Sequence, residues 1–433
     1  MLIACENNPD RVHLITLDPG HFHAALVQKV MLPGVDSTVH IYALEGKDLE
    51  MHLNRIKGYN ERSENPTAWK SEIYTGSDFL EKMLADKKGN VIVLAGNNKN
   101  KAEYIHRGIE AGFDVLADKP LIIRPDQLAS LNQSFEVAER EGRLLYDIMT
   151  ERFEITSVLQ RELSLIPEIF GKLKRGTKED PAVVKESVHH FYKTVSGAPL
   201  IRPYWFMDVN QQGQGIVDVT THLVDLVQWT CFPDQVLNYE KDVKLISADR
   251  WATVLTRSQF TRITGLIDFP VELNAVKTND STIAVYSNGS IDYQLRGTSV
   301  RVKVEWAFEA GEGRGDTHYS HLNGTRSRLV IRQGAEQGYK PVLYIEPSEG
   351  ISGVDIESAF EGIAKKYPGV ALKKLGAIYE VQIPPSYHNG HEAHFAQVLQ
   401  KFLEYRIAGK LPEWEKAGML VKYRLLMEAM RLK

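Results

Sequence analysis

Two short stretches set an acid, a base and a cation where chemistry could use them. "FDVLADKP", Phe113 to Pro120, runs from a short apolar strand straight into an aspartate, a lysine and a proline. A lysine at the mouth of a buried strand must reach water or meet something. About a hundred residues further on, "GQGIVDVTTHLVDLVQW" places Asp218 and His222 four apart, and on a helix such a pair shares a face. Removing the proton of a hydroxyl group needs a general base with a pKa near neutrality, and histidine is the side chain closest to that value. His222 could act as that base, with Asp218 orienting it or binding a neighbouring hydroxyl. Lys119 as a cation would stabilise the charge developing on the oxygen.

Other stretches carry residues of the same kind. "DPGHFHAA", with Asp18, Gly20, His21, Phe22 and His23, follows the first strand pattern. A turn there that opens a helix is an anion site, because N-terminal N–H groups face the ligand. Only Gly20 fits a glycine slot of the dinucleotide fingerprint G-x-G-x-x-G. Glu45 ends the second strand, where an acid bonds a ribose 2′-OH and repels a 2′-phosphate. That favours NAD over NADP. Tyr204 and Trp205 could stack on a sugar ring or pack in the core. His388, His391 and His394 are three apart in "YHNGHEAHF", and imidazole suits zinc or nickel. Glu392 is the one carboxylate beside them, so substrate contact or plain surface is the reading, and no metal is expected. The glycine-rich "GRGDTHYSHLNGT" reads as a loop over a cleft mouth, because no helix follows it.

The elements that must hold these residues follow from periodicity. Apolar runs "RVHLITL", "VHIYALEG", "SEIYT", "NVIVLAG", "FDVLA" and "RLLYDIM" alternate with helical patterns through about residue 150. Such alternation implies a doubly wound parallel sheet. The first of these helices is expected to continue to Val30. From about Val236 to Ile345 strand-like runs crowd together, and a mostly antiparallel sheet is expected there. "RITGLIDFP" reads as one of those runs. Asn288-Gly289 reads as a hairpin turn. Helical patterns return at Asp355–Lys366, Glu392–Ile407 and Trp414–Arg431.

The composition is permissive rather than diagnostic. The 433 residues exceed one usual domain, and 43% hydrophobic with 25% charged content fits a globular chain with a real core. A net charge of -4 gives no reason to expect nucleic acid. No run of roughly 18 apolar residues exists, so no membrane span is expected. Two cysteines exclude a disulfide framework. Leu2-Ile3-Ala4-Cys5 resembles a lipoprotein lipobox without the basic and apolar segments that should precede it. The chain as given therefore reads as cytoplasmic, with a lipid-anchored periplasmic form as the alternative.

At "NNKNKAEYIHRGIEAGFDVLADKP" the sequence resembles the glucose–fructose oxidoreductase and inositol dehydrogenase family (Gfo/Idh/MocA). That family carries a "T-P-N-x-x-H-A-E" turn after strand four and an "E-A-G-x-x-V-x-x-E-K-P" run ending in strand five. Asn98 falls on the family Asn, Lys101 on its His, and Asp118-Lys119-Pro120 on its Glu-Lys-Pro. The later segment resembles "G-G-G-x-L-x-D-x-G-x-H-x-x-D", with Asp218, His222 and Asp225 in register and Thr220 in place of a glycine. "TERF" resembles the "R-F-x-P" entry to the second domain, with Arg152 and Phe153 in register. Ala95-Gly96 replaces Thr-Pro. Residues 165–190 and about 340–390 have no placed counterparts.

The resemblance implies an NAD-dependent oxidoreductase acting on a sugar, a sugar derivative or a cyclitol. It implies a Rossmann-like domain over residues 1–150 and a substrate-binding and oligomerisation α+β domain over residues 151–433. The C-terminal helices, 392–431, could pack back across the junction. Asp18, Gly20, His21, Phe22, His23, Glu45, Gly96, Asn97, Asn98, Asp118, Lys119 and Pro120 would line the cofactor. Lys119, Arg152, Tyr204, Trp205, Asp218 and His222 would line the substrate. In the family the lysine lies between nicotinamide and substrate, and the peptide before the proline is commonly cis. A homodimer or homotetramer through the second-domain sheet is expected. Two alternatives keep the fold. One is a glycoside-cleaving enzyme that oxidises transiently on bound NAD, and the other is a non-catalytic dinucleotide or sugar-binding protein.

Overall fold

The computed structural model describes residues 11–195 and 198–432, so Leu2–Cys5 lies outside the described residues. The described residues form two compact units, residues 11–150 with 390–416 and residues 151–389 with 417–432.

In the first unit, strands β1 (Leu14–Leu17), β2 (Thr38–Ala43), β3 (Lys70–Thr75), β4 (Val91–Leu94), β5 (Asp114–Asp118) and β6 (Leu145–Ile148) alternate with helices α1 (His23–Leu26), α2 (Lys47–Glu61), α3 (Phe79–Asp86), α4 (Lys101–Glu110) and α5 (Leu128–Arg140). Every pairing is parallel, in the order β3-β2-β1-β4-β5-β6. Strands β1, β4, β5 and β6 are buried along their whole length. Burial on both faces is why Val91–Leu94 reads as an unbroken apolar run and the other three as mostly apolar ones. The strand order reverses between β1 and β4, and in such sheets the crevice outside the carboxyl ends at that point is the ligand site. Helix His391–Ile407 belongs to this unit. Its Phe402 ring stacks on Tyr146 of β6 at 6.4 Å, and its Tyr405 hydroxyl meets the buried Glu415, which also accepts from Tyr146.

One helix is shorter than its pattern. α1 is a single turn and does not continue to Val30. The chain turns away where the Gln28 carbonyl accepts the Trp69 indole N–H at 2.6 Å instead of serving as a helical acceptor.

The second unit is built on a ten-stranded sheet. Its centre is Val183–Tyr192, parallel to Thr298–Glu309 and antiparallel to Thr317–Asn323. The other pairings are antiparallel, as the sequence pattern implies. Residues 340–390 extend one edge with three more strands and helix Gly353–Lys366.

Two details differ from the sequence reading. Asn288-Gly289 is not a turn but the middle of one strand, Thr282–Leu295. The Asn288 side chain donates to Trp251 O and accepts from Trp306 N–H, tying together the strands on either side. Gly289 is small because Ile216 packs on it: an added Cβ would meet Ile216 Cβ at 2.7 Å. The hairpin closes instead at Arg296-Gly297, both left-handed. "RITGLIDFP" is likewise not a strand. It contains the end of helix Arg257–Thr264, whose start is a capping box between Thr256 and Gln259.

Candidate active site

The turns after β1, β4 and β5 meet at the carboxyl edge of the first sheet. Gly96 makes this possible, because a Cβ there would lie 2.1 Å from the Asp18 carbonyl oxygen. The close approach brings the Ala95 carbonyl to the N–H groups of Gly20 and His21, at 3.4 and 3.1 Å. Those two N–H groups are therefore used within the protein, and α1 has only four residues. The anion site expected from a helix N-terminus is not built that way here. What the turn presents instead is side chains. Asp18, at φ 48°, is half-buried, and its desolvation raises its pKa against the opposing hydrogen bond from Tyr104. His23 Nδ1 lies 2.8 Å and His21 Nδ1 3.7 Å from the same Asp118 carboxylate oxygen. The His23 ring packs against Phe22 and Phe395, at 4.5 and 4.6 Å.

Lys119 follows Asp118 at the end of β5, half-buried, and its peptide bond to Pro120 is cis. The group that fixes this segment is Lys101, which sequence reasoning recorded only as a departure from the family histidine. Lys101 is 2% exposed, and its ammonium donates to the carbonyls of Asp118 and Pro120 at 2.8 and 3.2 Å. It thus bonds the residues on either side of Lys119. Asn98 is buried beside it, and the Asn97 side chain accepts the Lys99 N–H. Glu45 lies exposed two residues beyond β2 and accepts from Thr75 at 3.3 Å.

In the second unit, Gly215 docks the Gly213–His222 segment onto strand Thr282–Leu295. Its N–H donates to Tyr286 O at 2.9 Å, and an added Cβ would lie 1.7 Å from Ser287 O. The helix begins at Thr220, so Asp218 stands in the turn before it rather than on it. Val217 and Asp218 N–H groups both bond Gln214 O at 2.9 Å, and the Thr220 hydroxyl bonds Gly215 O at 3.0 Å. Asp218 and His222 are both buried.

Near Asp218 lies Arg202, a residue the sequence reading did not single out. Its guanidinium donates to the carbonyls of Phe191 and His190 and covers the Phe206 ring at 4.5 Å. Burial pulls its pKa down to about 10, with Asp218 and Asp316 acting against the drop, so it remains a cation at neutral pH. Most of the glycine-rich stretch expected as a loop is the strand Thr317–Asn323, and Asp316 just before it meets His190 at 2.8 Å, Lys193 at 2.9 Å and His189 at 3.5 Å. Burial would raise its pKa, but His189 and Lys193 outweigh that and hold it far below the usual carboxylate range. The His189 ring stacks on Trp306 at 5.2 Å.

Some expected residues are used otherwise. Arg152 places its Nε and Nη2 on Asp225, at 2.6 and 2.7 Å, and Asp225 also accepts from the fully buried Lys422 at 2.7 Å. This is a buried ion-pair triad rather than a substrate contact. Trp205 is 4% exposed inside the core cluster with Phe191, Phe260 and Trp306, and Tyr204 packs partly buried against it. His388, His391 and His394 do not share a helical face, since the helix starts at His391 after Gly390 at φ 77°.

Comparison with known proteins bears on the class. Residues 159–433 match the family described as "Putative oxidoreductase C terminal domain". A solved structure from Parabacteroides merdae ATCC 43184, described as a putative oxidoreductase, is 51% identical, with TM-score 0.95 over 98% of this chain and 97% of that one. KijD10, a 3-ketoreductase from Actinomadura kijaniata solved with NADP and TDP-benzene, shares the fold at 14% identity and TM-score 0.56, over 96% of each chain. A putative oxidoreductase from Erwinia carotovora atroseptica SCRI1043 does so at 14% identity and TM-score 0.60, over 98% of each. Curated proteins give no match.

A doubly wound sheet of this strand order, followed by a large, mostly antiparallel sheet in a chain similar over its whole length to a 51%-identical protein described as a putative oxidoreductase, defines an oxidoreductase. The chain belongs to the family of that C-terminal domain.

Proposed function

We propose that this oxidoreductase moves hydride between a nicotinamide dinucleotide and a secondary alcohol, or the matching ketone, of a sugar, sugar derivative or cyclitol. One observation carries the reading. The strand order 3-2-1-4-5-6 places Asp18–His23, Gly96–Asn98 and Asp118–Pro120 at the carboxyl ends of β1, β4 and β5 around the switch point. Residues at those ends fit a dinucleotide, and Glu45 beyond β2 fits its ribose. The nicotinamide supplies the hydride acceptor or donor. Within the chain, His222 takes the hydroxyl proton, Asp218 holds the imidazole, and Lys119 steadies the negative charge on the oxygen. Arg202 and the His190–Asp316–Lys193 group would bind further hydroxyls.

The exposed Glu45 carboxylate favours NAD(H), although KijD10 was solved with NADP. Incubating the purified protein with NAD⁺ or NADP⁺ and a panel of sugars and cyclitols, followed by nicotinamide absorbance, tests the proposal. Net NADH formation supports it. Equal or tighter NADP(H) binding overturns the cofactor preference. Glycosidic cleavage without net redox turnover replaces the activity by the transient-oxidation alternative.

A further inference from the structure

The sequence expectation of no metal weighed only His388, His391 and His394. A different set is gathered by the fold. His21, His23 and Asp118 each offer a ligand atom, all within 4.8 Å of one another. Two come from the turn after β1 and one from the end of β5, so no single stretch of sequence announces them. We propose that His21, His23 and Asp118 form a binding site for a divalent transition metal of the zinc or cobalt kind.

Two imidazoles and a carboxylate are a donor set that first-row divalent metals accept. Both Nδ1 atoms aim at one Asp118 oxygen, from 2.8 and 3.7 Å. Metal–ligand bonds of about 2.0–2.2 Å put tetrahedral donors roughly 3.3–3.6 Å apart. The observed separations bracket that value, so small side-chain rotations would seat an ion. Asp118 and His23 are 4% and 7% exposed, while His21 is half-buried. Two donors are therefore buried, and the third is partly exposed. Phe22, Phe395 and His391 wall the His23 ring, the last at 5.8 Å, and restrict its rotation. Three protein donors leave a coordination position for water or an anionic oxygen. In this turn, which spends two N–H groups on Ala95, the ion would bring the positive charge an oxyanion needs. The inference does not rest on the cofactor reading.

The test uses the full-length protein, stripped with a chelator and titrated with Co²⁺ while the visible d–d bands are followed. One cobalt per chain, displaced by Zn²⁺, is expected. Asp118→Asn and His21→Gln, on two separate turns, should each weaken Co²⁺ binding by at least about 100-fold, with thermal melts confirming that each variant folds. Absence of cobalt bands in the wild-type protein overturns the proposal. So does unchanged affinity in either folded variant, which would leave His23 and Asp118 as a hydrogen-bonded pair.

Discussion

Lys101→Met is the sharpest perturbation of the first unit. The lysine side chain is buried, and its ammonium serves two carbonyls that bracket Lys119. A hydrogen bond from a charged donor contributes about 1.5–3 kcal/mol, so the two bonds sum to roughly 3–6 kcal/mol. Methionine keeps the volume and avoids burying a charge, which returns part of that amount. A net loss of about 2–4 kcal/mol is expected, seen as a lower urea midpoint. The effect on catalysis should be distinct. With its anchors gone, the segment carrying Lys119 shifts, and a 1 Å misplacement can cost about 100-fold in rate. The kcat should therefore fall by roughly 10–100-fold, with KM for substrate changed far less. Steady-state kinetics on folded Lys101→Met gives the answer. A variant that loses stability yet keeps wild-type kcat would refute the argument, because Lys119 would then hold its place without Lys101.

Three further outcomes follow from the same structure. Asp225→Asn should cost about 3–5 kcal/mol, since Arg152 and Lys422 would keep buried charges without their shared carboxylate; a loss under about 1 kcal/mol in thermal or urea unfolding would contradict it. His52 is 5% exposed, and burial, helped by Arg55, lowers its pKa to about 4. The unfolded chain takes that proton below about pH 6.5 and the folded chain only near 4, so stability falls as pH falls through this window, by up to about 3 kcal/mol. His52→Leu should flatten part of that acid limb in melts recorded from pH 7 to 4, and an unchanged slope would count against it. Strand Val243–Thr256 is only partly buried, and Val254 and Tyr286 of the same sheet are 58% and 47% exposed. A homodimer or tetramer through this sheet is the expected mass in light scattering, and a monomer at micromolar concentration would contradict it.

The fold was legible where one physical signal dominates. Val91–Leu94 and residues 115–117 are buried on both faces, so these residues had to be apolar. It was not legible where tertiary contacts reassign a local signal. Asn288-Gly289 has turn composition, but its amide bridges neighbouring strands and its missing Cβ admits Ile216. The Thr256–Gln259 capping box is a local helix-start signal just ahead of "RITGLIDFP", whose β-branched residues resemble a strand. Among the candidate residues, the position of Lys119 at the end of Asp114–Asp118 was readable because strand and lysine lie in one contiguous motif, whereas Asp218 falls in the turn before the helix rather than on it. The contacts of His23 with Asp118, 95 residues apart, and of His190 with Asp316, 126 apart, exist only through the sheets that join them. Arg152 shows the converse. An arginine in register with a family motif gave no sign that Asp225 and Lys422 would take it into the core.

The central claim is that His222 and Lys119 act on the same substrate oxygen, with His222 as the base. The direct measurement is the pH dependence of kcat/KM for alcohol oxidation in wild type, His222→Ala and Lys119→Ala, beside NAD titrations of each. The account predicts a roughly 10²–10⁴-fold loss for His222→Ala with NAD binding nearly unchanged, and disappearance of the acid limb that a general base gives. Lys119→Ala should also lose turnover while keeping that limb. A His222→Ala enzyme that retains near wild-type kcat/KM and the same acid limb would contradict the account.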